Sequence, residues 1–251
     1  MDRPTRLVIS GATGRMGQAL QALLRADVRW NCVAAPRRAG DWSAVAPADV
    51  VIDFSVPAGF EAALAYCRAQ HVAFVSGTTG LDGGQWSAMR AVAADIPVLH
   101  AANFSLGIAV LTQAVELAAA ALPEWDLEIV EAHHARKVDA PSGTALALGR
   151  VAAAARGEDF NTVAVLSREG NIGTRQKGTI GFAAIRAGDI VGEHTVVLGG
   201  AGERIELTHR ATDRSIFARG ALIAAAWLPG KPPALYSIAD VIRARTPRPQ
   251  N

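Results

Sequence analysis

The chain lacks the residues that staple a small secreted domain. Its two cysteines, Cys32 and Cys67, stand far apart without CxxC spacing. A disulfide framework or a zinc cage is therefore not expected, and buried thiols in a reducing compartment are. Charge of one sign is equally scarce. The formal net charge is +2, which excludes a general affinity for nucleic acid or for an anionic membrane surface. What excess base there is clusters locally, at Arg37 and Arg38 and at Arg243, Arg245 and Arg248. No uninterrupted apolar run is long enough to span a bilayer, and the opening Met1 to Arg6 has no signal-peptide h-region. No internal repeat is visible. The expectation is a soluble cytoplasmic protein.

Hydrophobic residues are plentiful, at 50% of 251 positions, enough for one large domain or two small ones. Leu7–Ser10 is a short apolar run ended by Gly11, and Met16, Ala19, Leu20, Leu23 and Leu24 follow at helical spacing. Further strands are predicted at Cys32–Ala35, Val50–Asp53, Ala73–Ser76 and Ile96–His100, with helices near 59–68 and 84–94 between them. This alternation predicts a Rossmann-like, doubly wound parallel sheet.

From about Phe104 the pattern changes. A helix is predicted over Ile108–Ala121. Strands are predicted at Leu127–Ala132, Thr162–Ser167, Gly181–Ala187, Glu193–Leu198 and Arg204–Arg210. Gly188-Asp189 and Gly199-Gly200 suggest antiparallel hairpins among the last three. The fold class is thus α/β, with a second α+β domain built on a mixed, largely antiparallel sheet. A helix over Ile216–Trp227 and a segment opened by Ser237, an N-cap residue, are expected to return to the first domain. The expected division is 1–104 with 214–251 for the dinucleotide and 105–213 for substrate and oligomerisation. Thr246 to Asn251 is expected to fray.

Gly11-Ala12-Thr13-Gly14-Arg15-Met16-Gly17 lies at the first strand-to-helix turn. A pyrophosphate there requires backbone N–H groups with no side chain in the way, and the helix N-terminus favours its charge. The spacing is GxxGxxG. The second strand runs into Arg37 and Arg38 with no acid. An acid there would suit a ribose 2′-hydroxyl and an arginine a 2′-phosphate. NADPH is therefore the expected cofactor, with Arg37 the better contact and NADH left open as a second donor. Asp53-Phe54-Ser55, Gly77-Thr78-Thr79 and Ala101-Ala102-Asn103-Phe104 fall at the C-terminal ends of predicted strands, the edge where such folds bind ligands.

The densest chemistry lies in Glu131-Ala-His133-His134-Ala-Arg-Lys137-Val-Asp139-Ala-Pro141-Ser142-Gly143-Thr144. A strand delivers two histidines into a loop that carries a lysine and meets a new helix at Ser142. Its free amides and the Ser142 and Thr144 hydroxyls suit a carboxylate. Lys137 adds a cation, and a histidine can donate a proton near neutral pH. A metal centre on His133 and His134 is not expected, because adjacent strand residues point to opposite faces and no third ligand is near. A serine hydrolase is not expected either, because the Gly-x-Ser-x-Gly elbow is missing.

These motifs, together with Ser76–Gly80, Ala102–Gly107 and Arg186–Thr195, occur in the order found in dihydrodipicolinate reductases, and the chain resembles that family from about Leu7 to Trp227. The resemblance implies NAD(P)H-dependent reduction of 4-hydroxy-tetrahydrodipicolinate, a cyclic imine dicarboxylate, in the diaminopimelate route to lysine. It implies that His133 is the general acid and that Lys137 assists it or holds a carboxylate. His134, Gly143 and Thr144 become substrate contacts, and Gly11–Gly17, Gly77–Thr79 and Ala101–Phe104 cofactor contacts. It also implies a homotetramer built through the second sheet. Pro36 departs from the acid many relatives carry there, and the stretch 38–50 is short. The alternatives are another two-domain NAD(P)-dependent dehydrogenase, which would leave the His133–Thr144 stretch without a task, and a non-catalytic dinucleotide-sensing module, which would not require His133 or Lys137.

Overall fold

The structure, a computed structural model, describes residues 3–34, 42 and 44–246. The chain divides into two compact units, 1–106 with 215–251, and 107–214.

The first unit is built on six parallel strands. They are β1 (Thr5–Ser10), β2 (Trp30–Ala34), β3 (Val50–Asp53), β4 (Ala73–Ser76), β5 (Pro97–His100) and β11 (Ala234–Tyr236), in the order β11-β5-β4-β3-β1-β2. Every residue of β3 and β4 is buried, because helices cover both faces, as an all-parallel sheet demands. Alternate side chains sort to opposite cores. Leu7, Ile9, Ile52 and Val75 pack with the Ala218, Ala221, Ala224 and Ala225 stripe of α7 (Ser215–Trp227). Val8, Val51, Phe74 and Val98 meet Phe60 and Leu64 of α2 (Pro57–Gln70) and Met89 and Val92 of α3 (Gly83–Val92).

Local chemistry sets the helix ends. Pro57 opens α2, where its missing N–H costs nothing, and His71 closes it at φ 52°. Asp82 and Gln85 form a capping box on α3. Ser237 and Asp240 do the same on α8 (Ile238–Arg245). Strand order reverses at β1, which pairs with β2 on one side and β3 on the other. The crevice at such a switch point is where doubly wound sheets take ligands.

The second unit carries a five-stranded sheet in the order β10-β9-β6-β8-β7. Its strands are β6 (Asp126–His133), β7 (Ala164–Val165), β8 (Ile180–Arg186), β9 (Gly192–Gly199) and β10 (Arg204–Ala211). Leu127, Ile129, Val196 and Leu198 pack under α4 (Leu106–Ala121) and α5 (Gly143–Ala155).

Three expectations are corrected. Gly188-Asp189 does not close a hairpin. β6 lies between β8 and β9, parallel to the first and antiparallel to the second. The glycine turn instead crosses the end of β6, where Ala187 N–H donates to His133 O and Ala135 N–H to Gly188 O. Thr162–Ser167 is not a full strand. Asp159 caps a one-turn helix, α6 (Phe160–Val163), which leaves two residues for β7. Of the cysteines, Cys67 is buried but Cys32 is exposed, on a strand paired along one side only. Burial pushes the Cys67 thiol well above its ordinary value.

Candidate active site

Between β1 and α1 (Arg15–Leu24), Gly11 turns at φ 78°, the left-handed region where glycine is at no disadvantage. A Cβ on it would lie 2.4 Å from Phe54 O, and one on Gly17 would lie 2.3 Å from Gly11 O. Both glycines are therefore required by backbone approach. Gly14 is the N-cap of α1 and offers no side-chain bond to the helix start, which has no acid in its first turn. Arg15 at the first position reverses the usual acidic bias of a helix N-terminus and suits an anion from outside the chain. Ala12 is buried, Met16 half-buried, and Thr13, Gly14 and Arg15 are exposed. A cradle that a Cβ would fill, at a bare helix start, fits a dinucleotide pyrophosphate.

The other predicted edge segments adjoin this turn. Phe54 and Phe104 meet edge to face with centroids 5.4 Å apart, and a Cβ on Gly77 would lie 2.1 Å from the Phe54 ring. Beneath them Asp53, fully buried, accepts from Ser76 Oγ at 2.9 Å and Thr78 Oγ1 at 2.7 Å, and also from Ser55. The Thr78 hydroxyl also accepts Ser55 N–H, so that side chain is tied to its own scaffold. Thr79 and Ala102 are exposed, and Ala101 is buried. Asn103 Oδ1 accepts Ser105 N–H at 2.8 Å. Arg37 lies outside the described residues.

In the second unit one carboxylate organises the predicted motif. Glu131 accepts both Arg186 Nη atoms, at 2.8 and 2.6 Å, and Ser142 N–H at 3.0 Å. Its Oε2 lies 2.6 Å from His133 Nδ1. Burial raises the Glu131 pKa, yet Arg186, His133 and the Ser142 amide together hold it below the usual carboxylate value. Ser142 caps α5, its Oγ accepting Ala145 N–H at 3.2 Å and lying 3.1 Å from His194 Nε2. His194 itself is 4% exposed. Burial foremost, then the neighbouring His133, pushes its pKa down to about 4, so it is neutral at pH 7. The His133 and His194 rings meet edge to face at 5.2 Å.

Lys137 pairs with Asp139 at 2.7 Å. That ammonium holds the Asp139 carboxyl low against its burial, with help from the Gly143 amide. The two groups expected to hold a carboxylate, Lys137 and the Gly143 N–H, thus already hold one from the chain. Thr144 is the second residue of α5. The Nδ1 of His134 is buried, and no hydrogen-bond partner for that atom lies among the described residues. Desolvation, then Arg214, Arg136, His133 and Lys137, lowers its pKa. No group of three or more His, Cys, Asp or Glu suited to a metal ion lies among the described residues.

Sequence reasoning assigned no role to Glu131, Arg186 or His194. Strand periodicity carried a signal for two of them: Glu131 shares the buried face of Leu127 and Ile129, and His194 that of Val196 and Leu198. A charged or polar residue in phase with a core face needs a partner.

Fold and site together define a two-unit α/β oxidoreductase. A myo-inositol dehydrogenase from Corynebacterium glutamicum shares the fold, with a TM-score of 0.56 at 13% identity over 96% of this chain and 93% of that one. Two family models cover nearly the whole chain: "Dihydrodipicolinate reductase, N-terminus" matches residues 5–104 and "Dihydrodipicolinate reductase, C-terminus" residues 107–242. The 4-hydroxy-tetrahydrodipicolinate reductases of Alkalilimnicola ehrlichii and Xanthomonas campestris are each 46% identical to it, over 95% of this chain and 98% of each relative. A dipicolinate-bound dihydrodipicolinate reductase from Paenisporosarcina sp. TG-14 has the same fold, with a TM-score of 0.79 at 22% identity over 94% of this chain and 99% of that one. The chain belongs to the dihydrodipicolinate reductase family.

Proposed function

We propose that the chain reduces 4-hydroxy-tetrahydrodipicolinate to tetrahydrodipicolinate with loss of water, at the expense of NAD(P)H, in the cytoplasmic route to diaminopimelate and lysine. The observation that carries this reading is the cluster in which His133, Ser142 and Arg186 converge on one buried carboxylate beside the Lys137 loop. A histidine, a cation and a helix start within one short stretch support the reading. A dinucleotide sensor would have no use for them.

The Gly11–Gly17 turn would hold the pyrophosphate, with Phe54, Gly77–Thr79 and Ala101–Phe104 lining the same edge. Bound there, the reduced nicotinamide supplies a hydride. His133 gives a proton to the ring carbon next to the site of reduction as the enamine collapses, a step for which a placed acid is worth about 10²–10⁴-fold. Lys137 and the α5 start, with the Gly143 and Thr144 amides and the Ser142 hydroxyl, hold a substrate carboxylate and draw off charge. Asp139 yields Lys137 and Gly143 to that carboxylate. His134, beside His133 at the start of the same loop, is a further substrate contact. Arg37 gives NADPH the advantage over NADH through the 2′-phosphate. The sheet face opposite α4 and α5, which carries Ala183, Ile185 and the Thr195–Thr208 hydroxyl pair, joins four copies of the chain. Light scattering tests the tetramer.

The deciding assay mixes the chain with NADPH, aspartate semialdehyde, pyruvate and the preceding synthase. Rapid NADPH oxidation that stops when the synthase is omitted is the expected result. No oxidation in the presence of active synthase overturns the assignment.

A further inference from the structure

Glu131 is a buried acid that the reduction itself does not call for. Four donors surround it: the two Nη atoms of Arg186, the Ser142 amide and His133 Nδ1. They come from β8, the α5 start and β6 itself. Its Oε1 serves the start of α5 and its Oε2 the imidazole, so one rigid carboxylate spans the gap between the two. The bidentate Arg186 fork fixes the plane of that carboxylate. Arg186 is anchored in turn by the Ile185 and Asp139 carbonyls, at 2.7 and 2.6 Å.

An ionised carboxylate accepts hydrogen bonds and donates none. The hydrogen in the 2.6 Å contact therefore sits on His133 Nδ1, and Nε2 is the nitrogen left to exchange a proton. Nε2 lies over Gly192, where a Cβ would stand 3.0 Å from it. A side chain at that position would press on the ring.

We propose that Glu131 is the positioning residue of the site: it holds His133 in the Nδ1–H tautomer, at a set distance from the helix start that takes the substrate carboxylate. The inference rests on the reading of His133 as proton donor. In the step itself the Nε2–H bond of the imidazolium breaks, its electron pair stays on Nε2, and the proton forms the new C–H bond of the ring. The neutral imidazole that remains is the Nδ1–H tautomer that Glu131 already holds. No ring flip or second proton shift separates one turnover from the next. Arg186 keeps Glu131 an anion while the imidazole beside it alternates between charged and neutral.

The test uses the full-length enzyme. In wild-type protein, a long-range ¹H–¹⁵N spectrum taken where His133 is neutral, assigned by its loss in H133Q, is expected to show the Nδ1–H tautomer. E131Q turns one contact into a donor facing a donor. It is expected to lose between about 10²- and 10⁴-fold in kcat, by no more than H133Q loses, with KM and NADPH affinity little changed. The His133 resonances are expected to move toward the Nε2–H form. An Nε2–H tautomer in the wild type overturns the proposal, and so does an E131Q enzyme with full kcat. Loss of stability in E131Q with an unaltered tautomer and kcat also overturns it, because that is a structural role. If E131Q fails to fold, the wild-type spectrum decides alone. Full turnover in H133Q defeats the underlying reading of His133, while the spectrum still reports on the Glu131 contact.

Discussion

The two units meet their chemistry with different materials. On the carboxyl edge of the parallel sheet, the proposed cofactor site is built from backbone and from missing side chains: Gly11, Gly17 and Gly77 each stand where a Cβ would strike neighbouring atoms. At the end of the mixed sheet the proposed substrate site is built from side chains in contact, Glu131, His133, Arg186, Ser142 and His194. The first arrangement is read by shape and tolerates no added atom. The second is read by charge and proton position, and tolerates no lost one. Binding defects should therefore arise from gains of volume in the first unit, and turnover defects from losses of function in the second.

The sharpest way to break that contrast is at His133. H133Q is expected to lose about 10²–10⁴-fold in kcat with NADPH affinity unchanged, and K137A a comparable amount; steady-state kinetics beside a fluorescence titration of NADPH separate the two quantities. Near-normal turnover in both variants would remove them from the mechanism.

Next in size is an acid-induced loss of stability. His194 has a folded-state pKa of about 4, against about 6.5 unfolded. Between those values the unfolded chain binds a proton that the folded chain refuses, so stability falls as pH drops through that window. The full effect is on the order of 3 kcal/mol. Glu131, held low when folded, adds a further loss at still lower pH, as it becomes protonated. Denaturant midpoints measured from pH 7 to 4 should show the first slope in the wild type and a flatter one in H194Q, which keeps a hydrogen-bonding amide for Ser142 without a titrating ring.

G17A gives the converse result to H133Q. Its Cβ would meet the Gly11 carbonyl and the Ala12 backbone, so α1 must shift, at about 1–3 kcal/mol. NADPH affinity is expected to fall about tenfold or more, with kcat retained at saturating cofactor. A large kcat loss at saturation would mean that the two units do not divide the work in this way. The smallest effect is expected at Arg37, whose proposed role is confined to the cofactor's 2′-phosphate. R37A should weaken NADPH about three- to tenfold and leave NADH alone. Tighter binding of NADH than NADPH by the wild type would defeat the assignment to the 2′-phosphate.

Legibility followed the range of the forces involved. β3 and β4 were readable to the residue because a strand covered on both faces is an unbroken apolar run between polar ends. The glycine turn was readable because a tight approach leaves glycines at fixed offsets. The β8–β9 hairpin was misread because Gly188-Asp189 has turn chemistry whichever strand follows it, and nothing in that dipeptide reports that β6 occupies the slot between them. Of the site, the His133–Thr144 stretch announced itself by spacing. Its supports did not, since Arg186 and His194 reach it from 55 and 52 residues beyond their partners Glu131 and Ser142.

Sequence alone was enough to determine which faces are apolar, where the glycine turn after β1 falls and which short stretch carries two histidines, a lysine and a helix start. These follow from sterics and periodicity among near neighbours. That Glu131 would be the carboxylate joining them was decided by strand order and register, which set Arg186 beside His133 and His194 beside Glu131. A buried charge has no meaning until its partners are in place, and only the folded sheet brings them there.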